Sequence, residues 1–404
     1  MFNLTYEFKL KPAQSQIAMF EEWLETHRRV YNYALAERKD WYKSRSCQVN
    51  ACSLHSCYII PADAPRPTFV SQCKSLTAAR KENEYLKRVN AQSLQQTLRR
   101  VEKAFVSMWE QNHGFPRFKK PGRMRSFSFP QLGVNPLASG FVKLPVIGAV
   151  SMRQSRDIPD GGVIKQARVV KRVSGWYVML TVQWDVSTPQ PMPRGEAVGI
   201  DVGLTSFVAT SNGLLVKRPR FFVDALRKLK LLQQRVSRKH IGSNNWKKAQ
   251  KKIASLHEYV ANCRKDWHRK LSHRLCDNAG MVFVEDLNLV GLSRGMHRLH
   301  CLDAGFGQFF NILEQICFKR DVYFQKVDSR KTSQICPSCG TETGKKELSE
   351  RTHLCSNCGY TTDRDVAAAQ VVRGRGLAAV GHTVKMLAEG KFIGIPVTQE
   401  SSYL

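Results

Sequence analysis

Long apolar runs are absent from this 404-residue chain. No stretch approaches the roughly 18 to 20 unbroken apolar residues of a transmembrane helix, which excludes helical membrane spans. The opening MFNLTYEFKL alternates apolar and polar residues and is too short for a signal peptide. Acidic residues are scarce: 33 Asp and Glu face 63 Lys and Arg, a formal net charge of +30. Such an excess implies a polyanionic partner, nucleic acid before an anionic membrane surface. The 12 cysteines come without a secretion signal, which argues against a disulfide framework and for a reducing interior such as the prokaryotic cytoplasm. The length leaves room for two or three domains.

What is present begins with the cysteines. Cys336 and Cys339, then Cys355 and Cys358, form two C-x-x-C pairs with fifteen residues between them, the spacing of a four-thiolate zinc site. Four protein ligands close a tetrahedral shell and leave no open position, so the expected Zn²⁺ is structural. Immediately downstream, Asp363 reads as an N-cap and Asp365 lies in the first turn of the helix-forming run VAAAQVV, where the helix dipole favours a carboxylate. Cys47, Cys52, Cys57 and Cys73, with His55, lie in an irregular stretch over 43–75. They lack tight pairs, so they read as free thiols in a variable insertion.

Along the chain, Phe2, Leu4, Tyr6, Phe8 and Leu10 alternate as a half-buried strand does, and Leu94, Leu98, Val101, Phe105 and Met108 step as one face of a helix. In GFPRFKKPGRMRSFSFPQ, four phenylalanines (Phe115, Phe118, Phe127 and Phe129) interleave with cations. They suit stacking on unpaired bases, and equally the inner faces of strands; composition does not choose. Short β-like runs over Val134–Asp185 suggest that they close a small barrel with the first strand. A proline-rich stretch over 187–193 marks a domain boundary.

Beyond it, Asp201 sits in an otherwise apolar strand, where a carboxylate is costly unless paired or bound to a cation. Glu285 ends a second apolar strand, Met281–Val284. Between them a long basic helical region keeps Lys247, Lys248, Lys251 and Lys252 off its apolar face, which suits tracking of a phosphate backbone. Each acid has a plain alternative, as turn cap, surface acid or helix cap. Three of them at the ends of separate elements point to a two-metal nuclease holding Mg²⁺ or Mn²⁺.

At these residues the sequence resembles the TnpB family, transposon-encoded RNA-guided DNA nucleases related to type V CRISPR effectors. The resemblance runs over nearly the whole chain, through LKPAQSQ, RVYNYAL, GFPRFK, GIDVGL, VEDLNLVGL, DAGFGQF, SRKTSQICPSCG and CSNCGYTTDRDVAAA. It implies an α/β multidomain fold. The first strand of an N-terminal β-barrel (wedge) domain would span 1–11, a helical recognition insertion 12–113 and the rest of the barrel 114–188. An RNase H-like (RuvC) nuclease domain would begin over 189–328, take a target nucleic-acid-binding zinc ribbon at 329–361 and end in a helix at 362–373. The tail, 374–404, is expected to carry no site and no fixed structure. The family's catalytic acids match Asp201, Glu285 and Asp365, holding two Mg²⁺ or Mn²⁺, with one structural Zn²⁺ on the four cysteines.

Partners implied are a guide RNA from the transposon end and double-stranded target DNA chosen beside a short adjacent motif, with one protein copy per RNA and association with the nucleoid when on DNA. In one respect the chain departs: Ala367 stands where the family usually has Asn. The alternatives to cleavage are an RNA-guided DNA-binding repressor and a transposase accessory protein.

Overall fold

The computed structural model describes residues 2–46, 60–133, 136–347, 349–386 and 392–396. The chain divides into two compact units, Met1–Thr188 and Pro189–Leu404, within the proline-rich stretch. Cys47, Cys52, His55 and Cys57 lie outside the described residues. Cys73 is a half-buried free thiol.

The first unit runs β1 (Phe2–Lys11), α1 (Gln14–Ser46), α2 (Phe69–Glu82), α3 (Glu84–Lys87), α4 (Ala91–Glu110), β2 (Ser126–Phe129), β3 (Leu137–Ala138), β4 (Phe141–Leu144), β5 (Gly148–Arg153), β6 (Val163–Arg172) and β7 (Gly175–Trp184). Four helices thus intervene between the first strand and the rest of the sheet. The strands form one seven-stranded sheet in the order β2-β6-β7-β1-β5-β4-β3, and every pairing is antiparallel. Alternation in β1 buries Tyr6, Phe8 and Leu10, as its period requires. Among the described residues β2 and β3 remain edges, so the expected closed barrel is an open sheet: alternation specifies which face is buried, not which strands pair. α1 and α4 cover the buried face through Phe20, Trp23, Leu94 and Leu98, which join Phe127 and Phe129 in one core.

The second unit holds β8 (Ala197–Asp201), β9 (Ser206–Thr210), β10 (Leu215–Lys217), α5 (Leu226–Ser237), α6 (Asn244–Leu275), β11 (Met281–Glu285), α7 (Leu289–Leu292), α8 (Arg298–Ala304), α9 (Phe306–Lys319), β12 (Tyr323–Val327), β13 (Thr352–Leu354), β14 (Thr361–Asp363), α10 (Arg364–Ala379), β15 (His382–Met386) and β16 (Phe392–Pro396). Its main sheet has the order β10-β9-β8-β11-β12. β8, β9 and β10 form an antiparallel meander, turning at Asn212-Gly213 with Gly213 at φ 86°. β8, β11 and β12 run parallel. α9 and the C-terminal half of α6 pack with this sheet in one apolar cluster through Leu271, Leu275, Phe309 and Leu313.

α10 packs with the sheet in another cluster that includes Phe283 and Val372. It runs on to Ala379, past residue 373 where the sequence suggested its end. The tail then holds an antiparallel β15–β16 pair, so it is not wholly without fixed structure. No helix among the described residues is long and apolar enough to cross a membrane.

Candidate active site

The parallel register of β8 and β11 pairs Ile200 with Val284. Each strand's next residue is an acid, Asp201 and Glu285, so both carboxylates leave the same edge of the sheet from adjacent strands. This carboxyl-end edge is where open α/β sheets place their ligands. The third acid arrives on α10. Asp363 caps that helix, its Oδ1 accepting from the N–H of Asp365 at 2.8 Å and of Val366 at 3.3 Å, which fixes Asp365 in the first turn.

α10 can lie this close because the contact is built from small residues. Ala367, Ala368 and Ala369 are buried. Gly199 of β8 faces the helix so closely that a Cβ there would stand 2.0 Å from the Ala369 carbonyl oxygen. Farther along, Gly376 lies against the Phe283 ring, where a Cβ would sit 2.1 Å from the nearest ring carbon.

Asp201, Glu285 and Asp365 therefore line one cavity of about 230 Å³, together with Thr332, Ser333, Arg351, Arg364 and Ala368. Burial, then the neighbouring Glu285 and Asp365, hold the Asp201 carboxyl well above the usual carboxylate range. Burial likewise raises Glu285, opposed by the Thr332 hydroxyl, which donates to Glu285 Oε1 at 2.5 Å. Asp365 is raised by burial and by Asp363, and Arg351 opposes the shift from 3.9 Å. Three carboxyls, each raised first by burial, are a donor set suited to hard divalent cations, which would reverse all three shifts. The set is looser than a closed cage: among the described residues only the four ribbon cysteines bring three or more ligating atoms within 4.8 Å of one another.

In that ribbon, Cys336 and Cys358 stand 3.6 Å apart at sulfur, as do Cys339 and Cys355. A tetrahedral Zn²⁺ with Zn–S near 2.3 Å sets its sulfurs roughly 3.8 Å apart, so the thiols fit that ion. The two halves repeat one turn: Gly340 and Gly359 N–H donate to the carbonyls of Cys336 and Cys355, with φ of 76° and 71°. The Thr341 hydroxyl and backbone push the Cys339 thiol down to about 5, while burial pushes Cys336 up to about 12.

Thr332, Ser333, Arg351 and Arg364 were not singled out as site residues in the sequence, although the first two and Arg364 lie inside the blocks SRKTSQICPSCG and CSNCGYTTDRDVAAA. Thr332 and Ser333 belong to a connector with no hydrophobic period, and Arg351 is one cation among many. Their signal was position alone, since they flank or belong to the ribbon that leads directly into Asp365.

Comparison with known proteins agrees with this architecture. Family models described as "Probable transposase", "Cas12f1-like, TNB domain" and "Helix-turn-helix domain" match residues 178–295, 306–372 and 1–47. The last name does not describe its segment here, which holds β1 and the single helix α1. The chain is 29% identical over 415 residues to the "Putative RNA-guided DNA endonuclease InsQ" of Escherichia coli (strain K12), covering 98% of this chain and 96% of that one. It is 30% identical over 381 residues to a "Putative RNA-guided DNA endonuclease" of Streptomyces pristinaespiralis, covering 93% and 89%. A Cas12f1 chain solved in complex with sgRNA and target DNA shares the fold, with TM-score 0.55 at 15% identity over 89% of this chain and 83% of that one. The chain belongs to the TnpB family.

Proposed function

We propose that this protein is an RNA-guided DNA endonuclease whose cleavage centre is the cavity of Asp201, Glu285 and Asp365. The observation that carries the reading is the meeting of these three acids, from β8, β11 and α10, in one cavity where burial keeps all three carboxyls high and the other two acids raise Asp201 further. On this reading the second unit is an RNase H-like (RuvC) nuclease domain interrupted by the ribbon, and the first is a wedge sheet with a helical recognition insertion. The three carboxylates would hold two Mg²⁺ or Mn²⁺, and the four ribbon cysteines one Zn²⁺. When bound, the divalent pair supplies Lewis acidity and a lowered water pKa for phosphodiester hydrolysis.

The chain's own residues do the positioning. Thr332 orients Glu285 by its hydroxyl, and the Asp363 cap orients Asp365. Arg351 and Arg364 bring positive charge to a cavity whose other charged residues are the three acids, where a scissile phosphate needs its oxygens held. The partners are a guide RNA and double-stranded target DNA, met in the cytoplasm at the nucleoid by one protein copy per RNA. The net charge of +30 supports a polyanionic partner.

The test is cleavage of supercoiled target DNA by the purified protein with the RNA that co-purifies with it, in the presence of Mg²⁺. Asp201→Ala is expected to abolish cutting and to leave RNA and target binding intact; cutting that survives the substitution overturns the site. Ala367 favours a second reading, guided binding without cleavage, which an intact target after incubation with the wild-type complex and Mg²⁺ would select.

A further inference from the structure

The aromatic and cationic stretch after α4 separates into two halves with different fates. Phe127 and Phe129 are buried against Trp23. Phe115 and Phe118 are 41% and 46% exposed, and Trp109, in the last turn of α4, is 43% exposed. The parts of these large rings left in water, on a helix end and an adjoining loop, form an exposed apolar surface.

The loop is nevertheless held in place. Residues 111–125 form no helix or strand, yet the Asn32 side chain of α1 pairs with the backbone of Lys119 in both directions. Lys119 N–H donates to Asn32 Oδ1 at 2.8 Å, and Asn32 Nδ2 donates to the Lys119 carbonyl at 3.0 Å. Arg28 adds a third bond to that carbonyl at 3.1 Å. Phe115 is steadied edge-on by Phe105 at 5.5 Å. Phe118 is thus presented from a backbone anchored at the next residue.

Cations already sit over two of the exposed rings. Lys39 Nζ is 5.0 Å from the Phe118 ring centre, and the Arg66 guanidinium is 4.3 Å from that of Trp109. The sequence over 109–120 holds three cations and one acid, and 39–45 again three and one. A ring face beside positive charge suits a ligand that is flat and apolar in one part and anionic in the next, which describes a nucleotide. An apolar protein partner would not call for the surplus cations.

We infer that the Phe118 surface is a stacking platform for unpaired bases of single-stranded RNA, with Lys39, Arg117 and Lys120 meeting the flanking phosphates. The choice of RNA over DNA rests on the function proposed above, because the chain then carries RNA before it meets a target.

The test uses the full-length protein and a single-stranded RNA oligonucleotide carrying 5-bromouridine, irradiated and mapped by mass spectrometry, with an abasic oligonucleotide of equal length as competitor. Cross-links within residues 109–120 are expected. Phe118→Leu should weaken binding of the base-bearing RNA by roughly five- to a hundredfold, leave its salt dependence unchanged and leave abasic binding unchanged. Phe118→Tyr should bind as wild type, which separates loss of stacking from loss of fold. Cross-links confined to other segments, unchanged affinity in Phe118→Leu, or equal binding of a DNA strand of the same sequence would overturn the inference. Asp201→Ala protein should cross-link identically, so failure of cleavage and failure of this surface are read separately.

Discussion

Thr332 governs the state of Glu285 more directly than any charged neighbour. Its hydroxyl donates at 2.5 Å to a carboxylate only 6% exposed, and it is the strongest influence holding that carboxyl down against burial. Removing an outer partner of a metal-binding carboxylate typically costs ten- to a hundredfold in activity or metal affinity. Thr332→Val is therefore expected to slow cleavage by about that factor and to raise the Mg²⁺ concentration required, while Thr332→Ser keeps both near wild type; a Mg²⁺ titration of the cleavage rate checks it.

His27 makes a second case at this scale. It is fully buried between the hydroxyls of Thr97 at 2.7 Å and Ser93 at 3.2 Å, stacked on Phe127, and burial pushes it down to about 3. The fold therefore holds it neutral while the unfolded chain protonates it near pH 6.5. Its contribution to stability is whole above pH 6.5 and is lost as pH falls toward 3, at about 1.4 kcal/mol per pH unit. Between pH 7 and 4.5 the wild type should lose about 2 to 3 kcal/mol more than His27→Gln, measured as the difference in their denaturation free energies.

At the scale of elements, the packing of α10 on β8 and β11 decides whether Asp365 meets the other acids. That packing depends on absent side chains. Gly376→Ala drives a methyl into the Phe283 ring, and overpacking of this kind costs about 1 to 3 kcal/mol. Gly374→Ala, two residues earlier on the same helix with nothing within 4 Å of its Cβ, should be neutral or stabilising by up to about 1 kcal/mol. Paired thermal melts of the two variants distinguish a packing requirement from helix propensity.

The ribbon is the other element that positions Asp365, since β14 ends at the capping Asp363. Stripping metal with a zinc chelator, or Cys355→Ser, should release about one zinc per chain by elemental analysis and abolish cleavage at saturating Mg²⁺.

This scale also explains how much of the fold and site is legible in the sequence. A carboxylate ending an apolar strand announces itself because burying it is costly, so Asp201 and Glu285 stood out. Gly374 and Gly376 read as the start of a loose tail, because a glycine needed for the ring of Phe283 looks the same in sequence as one that ends a helix. The ribbon spacing is local and was legible; the open edges of the seven-stranded sheet, set by pairing between distant strands, were not. Nor did composition divide Phe115 and Phe118, which face solvent, from Phe127 and Phe129, which build the core.

For the whole molecule the dominant quantity is charge. On α6, Lys247, Lys248, Lys251 and Lys252 are all exposed, where they form one basic stretch without a packing role. Neutralising phosphates releases condensed counterions, so an interface that engages six to ten of them loses roughly a thousandfold to a hundred-thousandfold in affinity between 50 and 200 mM salt. RNA binding by the wild type should show a drop of that order. Replacing the four lysines by Gln should reduce the slope of log K against log salt by up to about 0.9 for each phosphate no longer neutralised. Asp201→Ala, by contrast, removes an acid from the proposed cleavage cavity and should leave the slope unaltered. A quadruple Gln variant with an unchanged slope would show that the basic stretch is only a solvated helix face and that the polyanion is held elsewhere on the chain.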